Sequence, residues 1–520
     1  MAGYGPAGDR TGESAGPVLR AGAFRHYIDF FNSMVEEGVV QHIPDARAWE
    51  WLASNIPLFE CPDPVFEQTW YYRCWSYRKH IKETPRGFIV TEFLRPVKHA
   101  AEYNAISCAF GHHLAEGRWL HDQTYLDDYL RFWLRAGGGL HPQFHQYSGW
   151  AAHAAYERWL VHRDDGNLAD LLDPLVLDYR TWERERLLDS GLFWQYDVRD
   201  GMEESISGSR TAKNARPTIN SYMYGNARAI ERIASLNGRT ALREEYEAKA
   251  AALRRRILAR LWDEKAGFFK PLLASGGLAD VREEIGFIPW MFGVPEPGKG
   301  YERAWAQLMN PGGFYAPFGP TTAERRHPGL RISLEGDDCQ WNGPSWPFAT
   351  SQTLKALANV LQSYPQDAVS RRDYFETLRV YTYSHRIRLE DGREIPWVDE
   401  NLNPFTGEWL ARLIKIRKGR FDGRGDHYNH STYCDLIITG LAGLRPRADD
   451  RLEVRPLLPA GTWDWFCLDR VKYHGRLLTI LWDRTGRKYG RGKGLRVFVD
   501  GSEAGRSGGL EPVCASLPVR

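Results

Sequence analysis

The chain has 520 residues, with 68 lysines and arginines against 66 aspartates and glutamates, and a formal net charge of +2. This length predicts one large domain with an accessory domain. Because neither sign of charge dominates, we do not expect a nucleic acid or an anionic membrane as a partner. No apolar run approaches the roughly 20 residues that span a bilayer.

Cysteine usage and the N-terminal composition indicate a compartment. The seven cysteines are scattered, odd in number and contain no CxxC pair, which predicts free thiols in a reducing compartment and neither disulfides nor a zinc site. Residues 1–22 are rich in Gly, Ala and Pro without an apolar stretch, which favours a flexible leader over a signal peptide. We therefore expect a cytoplasmic protein, without metal or cofactor.

Helical periodicity dominates the chain from residue 23 to residue 443. Residues 23–63 are predicted to form an N-terminal helical extension, with helices at 23–40 and 46–56. From residue 64 onward, long helical segments alternate with polar or Gly/Pro-rich loops. The predicted helices are 65–80, 104–116, 122–135, 147–161, 167–186, 218–236, 240–261, 285–291, 301–308, 345–362, 369–384 and 431–441.

These helices are of two kinds, which predicts how they are arranged. One kind carries many charges on one face, as in 240–261, whereas the other is rich in Ala, Gly, Ser and aromatic residues, as in 218–236. An outer ring of amphipathic helices around an inner ring of small-residue helices explains both patterns. Six such hairpins form an (α/α)6 barrel over residues 64–443. The loops 188–217 and 391–430 exceed the usual length and are expected to be functional.

Beyond residue 443 the apolar period changes to two. Residues 452–457, 471–474, 477–482 and 495–499 alternate apolar and polar side chains and predict strands. Glycines punctuate them, as in the turn Asp500-Gly501. Residues 444–520 are therefore predicted to form a small antiparallel β-rich module.

Aromatic residues are abundant, with 20 Trp, 25 Tyr and 23 Phe. Some must belong to the core, since aromatic side chains bury large areas. Tryptophans clustered beside Arg, Asn, Gln and Glu also indicate a carbohydrate site, where rings stack on sugar faces and polar groups bind hydroxyls. The expected partner is a small carbohydrate. Nothing in the sequence indicates an oligomeric state.

A first carboxylate motif lies in the stretch 200–226. Glu203 and Glu204 stand in a loop of Gly and Ser, and Tyr222 and Asn226 follow on the next predicted helix. A carboxyl group among aromatic rings is partly desolvated, which raises its pKa and suits it to general-acid catalysis. The alternative is an ordinary solvated acidic loop. Glu203 is the preferred candidate, ahead of Glu204 and Asp200.

A second carboxylate motif spans residues 397–409. Asp399, Glu400 and Glu408 are candidates for a catalytic base in a compact loop with turn dipeptides such as Asn403-Pro404. Glycoside hydrolysis requires two carboxyl groups, which lie about 6.5–9.5 Å apart in an inverting enzyme.

A third motif, at residues 335–348, precedes a predicted inner helix. Trp341 and Trp346 can form an aromatic floor, with Gln340, Asn342 and Gly343 beside them as ligands of sugar hydroxyls. The structural alternative is a Gly-Pro helix start with two packing tryptophans.

Four further residues are candidates for substrate binding. Trp75 and Arg78 share one helix and are either a sugar platform or part of a core helix with snorkelling cations. Gln146 and Tyr147 precede another helix and can bind hydroxyls. Residues 426–430 can line the same mouth, and their spacing matches no zinc pattern.

Taken together, the three motifs resemble those of (α/α)6-barrel glycosidases related to glycoside hydrolase family 63. That group includes the processing α-glucosidase and mannosylglycerate hydrolase-like enzymes, and trehalases are more distant. Residues 201–205 are similar to the segment that carries the family's general acid, and residues 341–347 to the segment lining the −1 sugar site. Residues 400–407 resemble the segment that begins with its general base. The resemblance covers about residues 65–442.

The resemblance implies an exo-acting, inverting glycosidase in which Glu203 is the acid and Glu400 the base. Three positions depart from the family pattern: Glu203 replaces an Asp, Asn342 an Arg and Leu402 an aromatic residue. These changes suggest a substrate other than trehalose or mannosylglycerate, and we expect an α-linked one. The alternatives are a glycoside phosphorylase on the same barrel and a non-catalytic carbohydrate-binding protein.

Overall fold

The computed structural model describes residues 16–517. The expected flexibility of the leader falls mainly on residues 1–15, which lie outside this range. Within the described part of the leader, the backbone amides of Val18 and Leu19 each donate to Asp469 Oδ2 at 2.8 Å. The end of the leader is therefore docked on the C-terminal module.

The main body is the predicted helical barrel. Its helices are α1 (Arg25–Met34), α2 (Ala48–Asn55), α3 (Pro64–Lys79), α4 (Phe110–Gly117), α5 (Thr124–Leu134), α6 (Ala151–His162), α7 (Asp165–Arg186), α8 (Pro217–Leu236), α9 (Thr240–Arg260), α10 (Ile288–Met291), α11 (Pro347–Ser363), α12 (Arg371–Tyr383), α13 (Leu410–Arg417) and α14 (Cys434–Leu436), which continues as a π-helical turn, Ile437–Leu441. None of these helices is both long and apolar enough to cross a bilayer.

The inner ring closes on itself. Helix α4 packs on α6, α6 on α8, α8 on α10, α10 on α11, α11 on α14, and α14 on α4. Helices α5, α7, α9, α12 and α3 lie outside this ring. The (α/α)6 fold class is thus confirmed.

Small residues allow the inner helices to approach closely, as their composition predicted. A Cβ atom at Gly111 of α4 would lie 2.1 Å from the Trp150 ring, and one at Gly225 of α8 would lie 2.2 Å from Phe292. Protein interiors are close-packed, so neither position tolerates a larger side chain without rearrangement. Proline at the first position starts α8 and α11, where its missing N–H costs nothing.

Helix boundaries agree with the predictions to within a few residues in most of the barrel. Two regions differ. The segment predicted at 285–291 begins as a 3-10 turn, Glu284–Phe287, and continues as the short α10, whereas the segment predicted at 301–308 is 3-10 helical, Tyr301–Gln307. Helix α13 falls inside the predicted loop 391–430, where the surrounding turn residues concealed its short apolar pattern.

The strands are β1 (Leu58–Glu60), β2 (Ile81–Thr84), β3 (Gly87–Val90), β4 (Trp262–Asp263), β5 (Phe268–Phe269), β6 (Arg386–Arg388), β7 (Glu394–Pro396), β8 (Arg451–Val454), β9 (Trp465–Tyr473), β10 (Arg476–Asp483), β11 (Gly494–Val499), β12 (Ser502–Ser507) and β13 (Val513–Ser516). The C-terminal module contains an antiparallel sheet in the order β1-β9-β10-β11-β12, beside the pair β13-β8. Strand β1 comes from the N-terminal segment that was predicted to be helical, with Leu58 paired to Asp469. The two ends of the chain therefore share one sheet.

Candidate active site

A cavity of about 530 Å³ opens at one end of the barrel. Its lining comes from the segments that precede α4, α6, α8, α11 and α14, so it lies at the N-terminal ends of the inner helices. Both loops that were predicted to be functional supply residues to it. The predicted site residues that line it are Glu203, Glu400, Gln146, Tyr147, Trp341 and Trp346.

Glu203 is partly buried in the wall of the cavity. Its backbone carbonyl accepts a hydrogen bond from the Trp341 amide at 3.0 Å, which ties the acid loop to the aromatic motif. Burial raises the pKa of Glu203 to about 7, and the charges of Asp197 and Glu400 act in the same direction. Its own backbone amide and Arg210 lower this pKa. At neutral pH a large fraction of this carboxyl group therefore holds a proton.

The two competing candidates for the acid lie elsewhere. Asp200 is buried in an ion pair with Arg216 at 2.7 Å and accepts a hydrogen bond from Thr218. Glu204 adopts a positive φ of 62° and is exposed, with Arg210 at 3.5 Å. Neither lines the cavity.

Glu400 has a different environment. It is 2% exposed, and its Oε1 accepts hydrogen bonds from the Lys415 ammonium group and from Nε and Nη2 of Arg424, the latter two at 3.3 Å. The Cys339 thiol lies 4.0 Å from Oε2. Two cations therefore bind one oxygen of Glu400 by charge-assisted hydrogen bonds, and the other oxygen has only this weak contact within residues 16–517.

Of the three candidates for the base, only Glu400 reaches the cavity. Asp399 is 1% exposed and paired with Arg412 at 2.8 Å. Glu408 is exposed, and its Oε2 accepts from the Thr406 hydroxyl at 2.8 Å. The structure corrects the predicted placement of Glu408 in the substrate site, because its turn holds it at the surface.

The aromatic motif builds one wall of the cavity. The rings of Trp341 and Trp346 stack with centroids 4.4 Å apart at an interplanar angle of 14°. Trp346 Nε1 donates a hydrogen bond to the Gln340 carbonyl at 2.7 Å, which fixes the orientation of the Trp346 ring. A Cβ atom at Gly343 would lie 2.3 Å from the Arg331 carbonyl oxygen, so only glycine permits this approach.

Gln340, Asn342 and Gly343 do not line the cavity. The Gln340 side chain donates to the Ser333 carbonyl at 2.8 Å, and the Asn342 carbonyl accepts from the Arg331 amide. Their predicted contact with substrate is thus corrected: they shape the loop beneath the two tryptophans.

Trp75 and Arg78 are also outside the cavity. Trp75 is fully buried, packs 5.8 Å from the Phe31 ring and donates from Nε1 to Asn32 at 2.8 Å. Arg78 forms an ion pair with Asp45. Both attach the N-terminal extension to α3, which corrects the predicted sugar platform to the core alternative.

Tyr222 and Asn226 lie among the inner helices and likewise do not line the cavity. The Tyr222 hydroxyl accepts from Gln352 at 2.9 Å. Asn226 accepts from the His153 amide and donates to the Gly149 carbonyl, both at 3.2 Å, which joins α8 to the start of α6. The polar groups of Tyr222 and Asn226 therefore form hydrogen bonds within the fold.

Several cavity residues were not in the predicted set. They include Glu92, Phe93, His99, Arg199, Asp338, Cys339, Arg420 and Arg424. Tyr428 and His430 come from the segment 426–430 that was expected at the mouth. A signal for Glu92 was present in the sequence, since this residue is a lone charge in the apolar run 88–94. Among residues 16–517, no three His, Cys, Asp or Glu side chains are grouped so as to hold a metal ion.

The family is decided by comparison with known proteins. Residues 102–431 match the model of the mannosylglycerate hydrolase MGH1-like glycoside hydrolase domain. The chain belongs to this glycoside hydrolase family. Residues 444–505 match the glycosyl hydrolase family 65 C-terminal domain. The resemblance to family 63-related glycosidases that the motifs predicted is thereby confirmed.

Solved structures similar to this MGH1-like glycoside hydrolase include one titled "Sialidase", at 47% sequence identity and a TM-score of 0.91. The alignment covers 96% of this chain and 45% of that chain, so the protein spans less than half the length of this relative. An α-L-rhamnosidase from Dictyoglumus thermophilum aligns at 12% identity and a TM-score of 0.52 over 83% of this chain and 43% of that one. A family 78 rhamnosidase of Bacillus sp. GL1 aligns at 13% identity and a TM-score of 0.51 over 82% and 40%. The two rhamnosidases share the fold.

Proposed function

We propose that the protein is an exo-acting, inverting glycoside hydrolase that cleaves the α-glycosidic bond of a small oligosaccharide or glycoside. The observation that carries the proposal is the pair Glu203 and Glu400, which line one cavity in opposite electrostatic environments. Desolvation favours the protonated form of Glu203, whereas Glu400 is bound to two cations. Two carboxyl groups with such different surroundings are the arrangement that separates an acid from a base.

In the proposed mechanism, Glu203 donates its proton to the glycosidic oxygen as the bond to the anomeric carbon breaks. Glu400 takes a proton from a water molecule as that water attacks the anomeric carbon from the opposite face. The stacked rings of Trp341 and Trp346 pack against the sugar, and Gln146 and Tyr147 bind hydroxyl groups. Each turnover leaves the two carboxyl groups with exchanged protonation states, which solvent then restores.

The first test is release of reducing sugar from a panel of α- and β-linked disaccharides, glycosyl-glycerates and aryl glycosides, with Glu203→Gln as the control. Proton NMR of the first-formed anomer tests inversion. Activity that is absent from the Glu203→Gln variant supports the proposal. A first-formed sugar with retained configuration would overturn the proposed mechanism.

A second candidate is hydrolysis of an α-sialoside. The 47% identity to a structure titled "Sialidase" favours it, and Arg199 at the cavity provides a cation for an acidic sugar. An α-linked sialyl-lactose in the same panel separates the two candidates. Parallel reactions with inorganic phosphate test the phosphorylase alternative, for which turnover requires phosphate.

A further inference from the structure

Glu92 is a further carboxyl group of the cavity, and it lies outside the three motifs. It follows β3 and lines the cavity together with Glu203 and Glu400. Its side chain is deeply buried, since the residue is only 5% exposed. Carboxylates are almost never this buried unless they are paired, so its surroundings decide its role.

Only one oxygen of Glu92 is satisfied within the described part of the chain. Oε1 accepts a hydrogen bond from the Tyr428 hydroxyl, whereas Oε2 is buried without a well-formed hydrogen bond, although the Ala109 amide interacts with the carboxyl group. The Tyr428 ring packs against the rings of Phe93 and His430, with ring centroids 4.5 Å and 3.9 Å away, respectively. An unpaired buried polar atom is costly, and an atom of this kind on a cavity residue indicates a ligand as its partner.

One other cavity residue has the same deficit among the described residues. Trp341 Nε1 is buried without a partner. An indole donor and a carboxyl oxygen on one cavity match a ligand with hydroxyl groups.

We propose that Glu92 binds one hydroxyl group of the sugar through its free carboxyl oxygen and thereby contributes to substrate selection. This inference rests on the proposed glycosidase function and adds to it a specificity-determining residue. Tyr428 orients the carboxyl group for this contact.

The charge state of Glu92 is consistent with such a contact. Burial raises its pKa to about 8, with contributions from the charges of Glu400 and Glu203, and this rise is partly offset by the Tyr428 hydroxyl and the Ala109 amide. Glu92 is therefore mainly a neutral acid at pH 7, able to donate as well as accept. A neutral acid also adds no repulsion to Glu400.

The test compares two variants of the full chain. Glu92→Gln keeps the shape and a hydrogen-bond donor at the free position, so its kcat/KM on the best-cleaved glycoside of the panel should fall less than that of a variant that removes the hydrogen-bonding group. The double variant Glu92→Met with Tyr428→Phe removes both partners of the internal hydrogen bond between these two side chains. Its kcat/KM should fall about tenfold or more, as expected for loss of one hydrogen bond to substrate.

A set of monodeoxy analogues of the same glycoside distinguishes binding from a structural effect. One analogue should be cleaved equally by the wild type and the double variant, because it lacks the contacted hydroxyl. Unchanged activity of the double variant, equal losses on all analogues, or a Glu92→Gln variant as inactive as Glu400→Gln would each overturn the inference. A wild-type protein that neither cleaves any panel member nor binds its free sugar would instead overturn the proposed function itself.

Discussion

Glu203 and Glu400 are the same residue type in one cavity, and their neighbours give them different roles. Glu203 forms no ion pair among residues 16–517 and is desolvated, which favours its neutral form. Glu400 contacts Lys415 and Arg424. At the scale of single residues, the proposed chemistry therefore depends on which side chains surround each carboxyl group.

A substrate with a good leaving group tests these roles separately. On ordinary glycosides, Glu203→Gln and Glu400→Gln should each lower kcat by about 10²–10⁴-fold. On the matching α-glycosyl fluoride, Glu203→Gln should remain active, because fluoride leaves without a general acid, whereas Glu400→Gln should stay inactive. Fluoride release measured with an ion-selective electrode checks this. Equal losses on both substrates in Glu203→Gln would contradict its role as the acid.

The pKa of Glu203 predicts the alkaline side of the pH profile. The proposed acid must be protonated, and its pKa of about 7 means that the protonated fraction falls about tenfold per pH unit above that value. We expect kcat/KM on ordinary glycosides to decline above about pH 7. The charged groups around Glu203 in this measurement are Asp197, Glu400, Glu92 and Arg210. The same measurement with the glycosyl fluoride is the control, and a decline of equal size there would argue against this assignment.

At the scale of elements, a buried ion network joins the inner helices away from the cavity. Asp435 of α14 accepts from Arg118, just after α4, at 2.6 Å and from Trp119 at 2.9 Å, and lies 3.5 Å from Lys355 of α11. Burial acts to raise the pKa of Asp435, but the charges of Arg118 and Lys355 outweigh it and lower this pKa to about 2. The network ties three elements of the ring together.

Breaking this network should destabilise the barrel. Asp435→Asn leaves the buried Arg118 with Glu157, at 3.0 Å, as its remaining carboxylate partner, and we expect it to lower the free energy of unfolding by about 3 kcal/mol. Chemical denaturation monitored by circular dichroism measures this change. The exposed pair Arg243–Glu247 of α9 is the matched control, because Arg243→Ala should change stability by only about 0.3–0.5 kcal/mol. A similar effect of both substitutions would contradict the role of the network.

The ion pair between Asp435 and Arg118 also predicts a pH dependence of stability. The folded-state pKa of Asp435 lies below its ordinary value of 3.8, so the stabilisation is present above about pH 4 and is lost as the pH falls towards 2. Asp435→Asn should therefore show a shallower loss of stability over this range than the wild type, as measured by urea titrations at several pH values. Parallel curves would contradict this expectation.

At the scale of the whole molecule, the N-terminal segment links the barrel to the C-terminal module. Strand β1 pairs with β9, and the Val18 and Leu19 amides bind Asp469. The module also contacts the barrel directly, since the His474 amide donates to the Val161 carbonyl at the end of α6 at 2.8 Å. Helix α3 is covered on one side by α1 and α2.

These contacts predict that the barrel segment depends on both ends of the chain. A fragment of residues 64–443 leaves the buried face of α3 exposed, including Trp75, and should be largely insoluble or lack a cooperative unfolding transition. The chain 16–517 is the control and should be soluble and unfold cooperatively. Soluble yield and near-ultraviolet circular dichroism measure the difference. A fragment that unfolds like the longer chain would show that 64–443 is an independent domain.

The sequence by itself determined the helical barrel, the β-rich module and the carboxylate motifs, because these depend on local patterns. Periodic apolar positions place α8 and α9, and the change to period two marks β9, β10 and β11. Glu203 and Glu400 were predicted as site residues because each belongs to a motif of adjacent residues, and both line the cavity. These features need no knowledge of distant contacts.

Only the tertiary structure decided which side chains of these motifs reach the cavity. A protein core and a sugar site contain the same types of aromatic and polar residues. Trp75 and Tyr222 were therefore predicted to bind substrate, although the fold uses them for packing. Glu92 was missed because its proximity to Glu203 and Glu400 arises from segments far apart in the chain. The pairing of β1 with β9 has the same cause, since a three-residue strand is specified by its partner rather than by its own pattern.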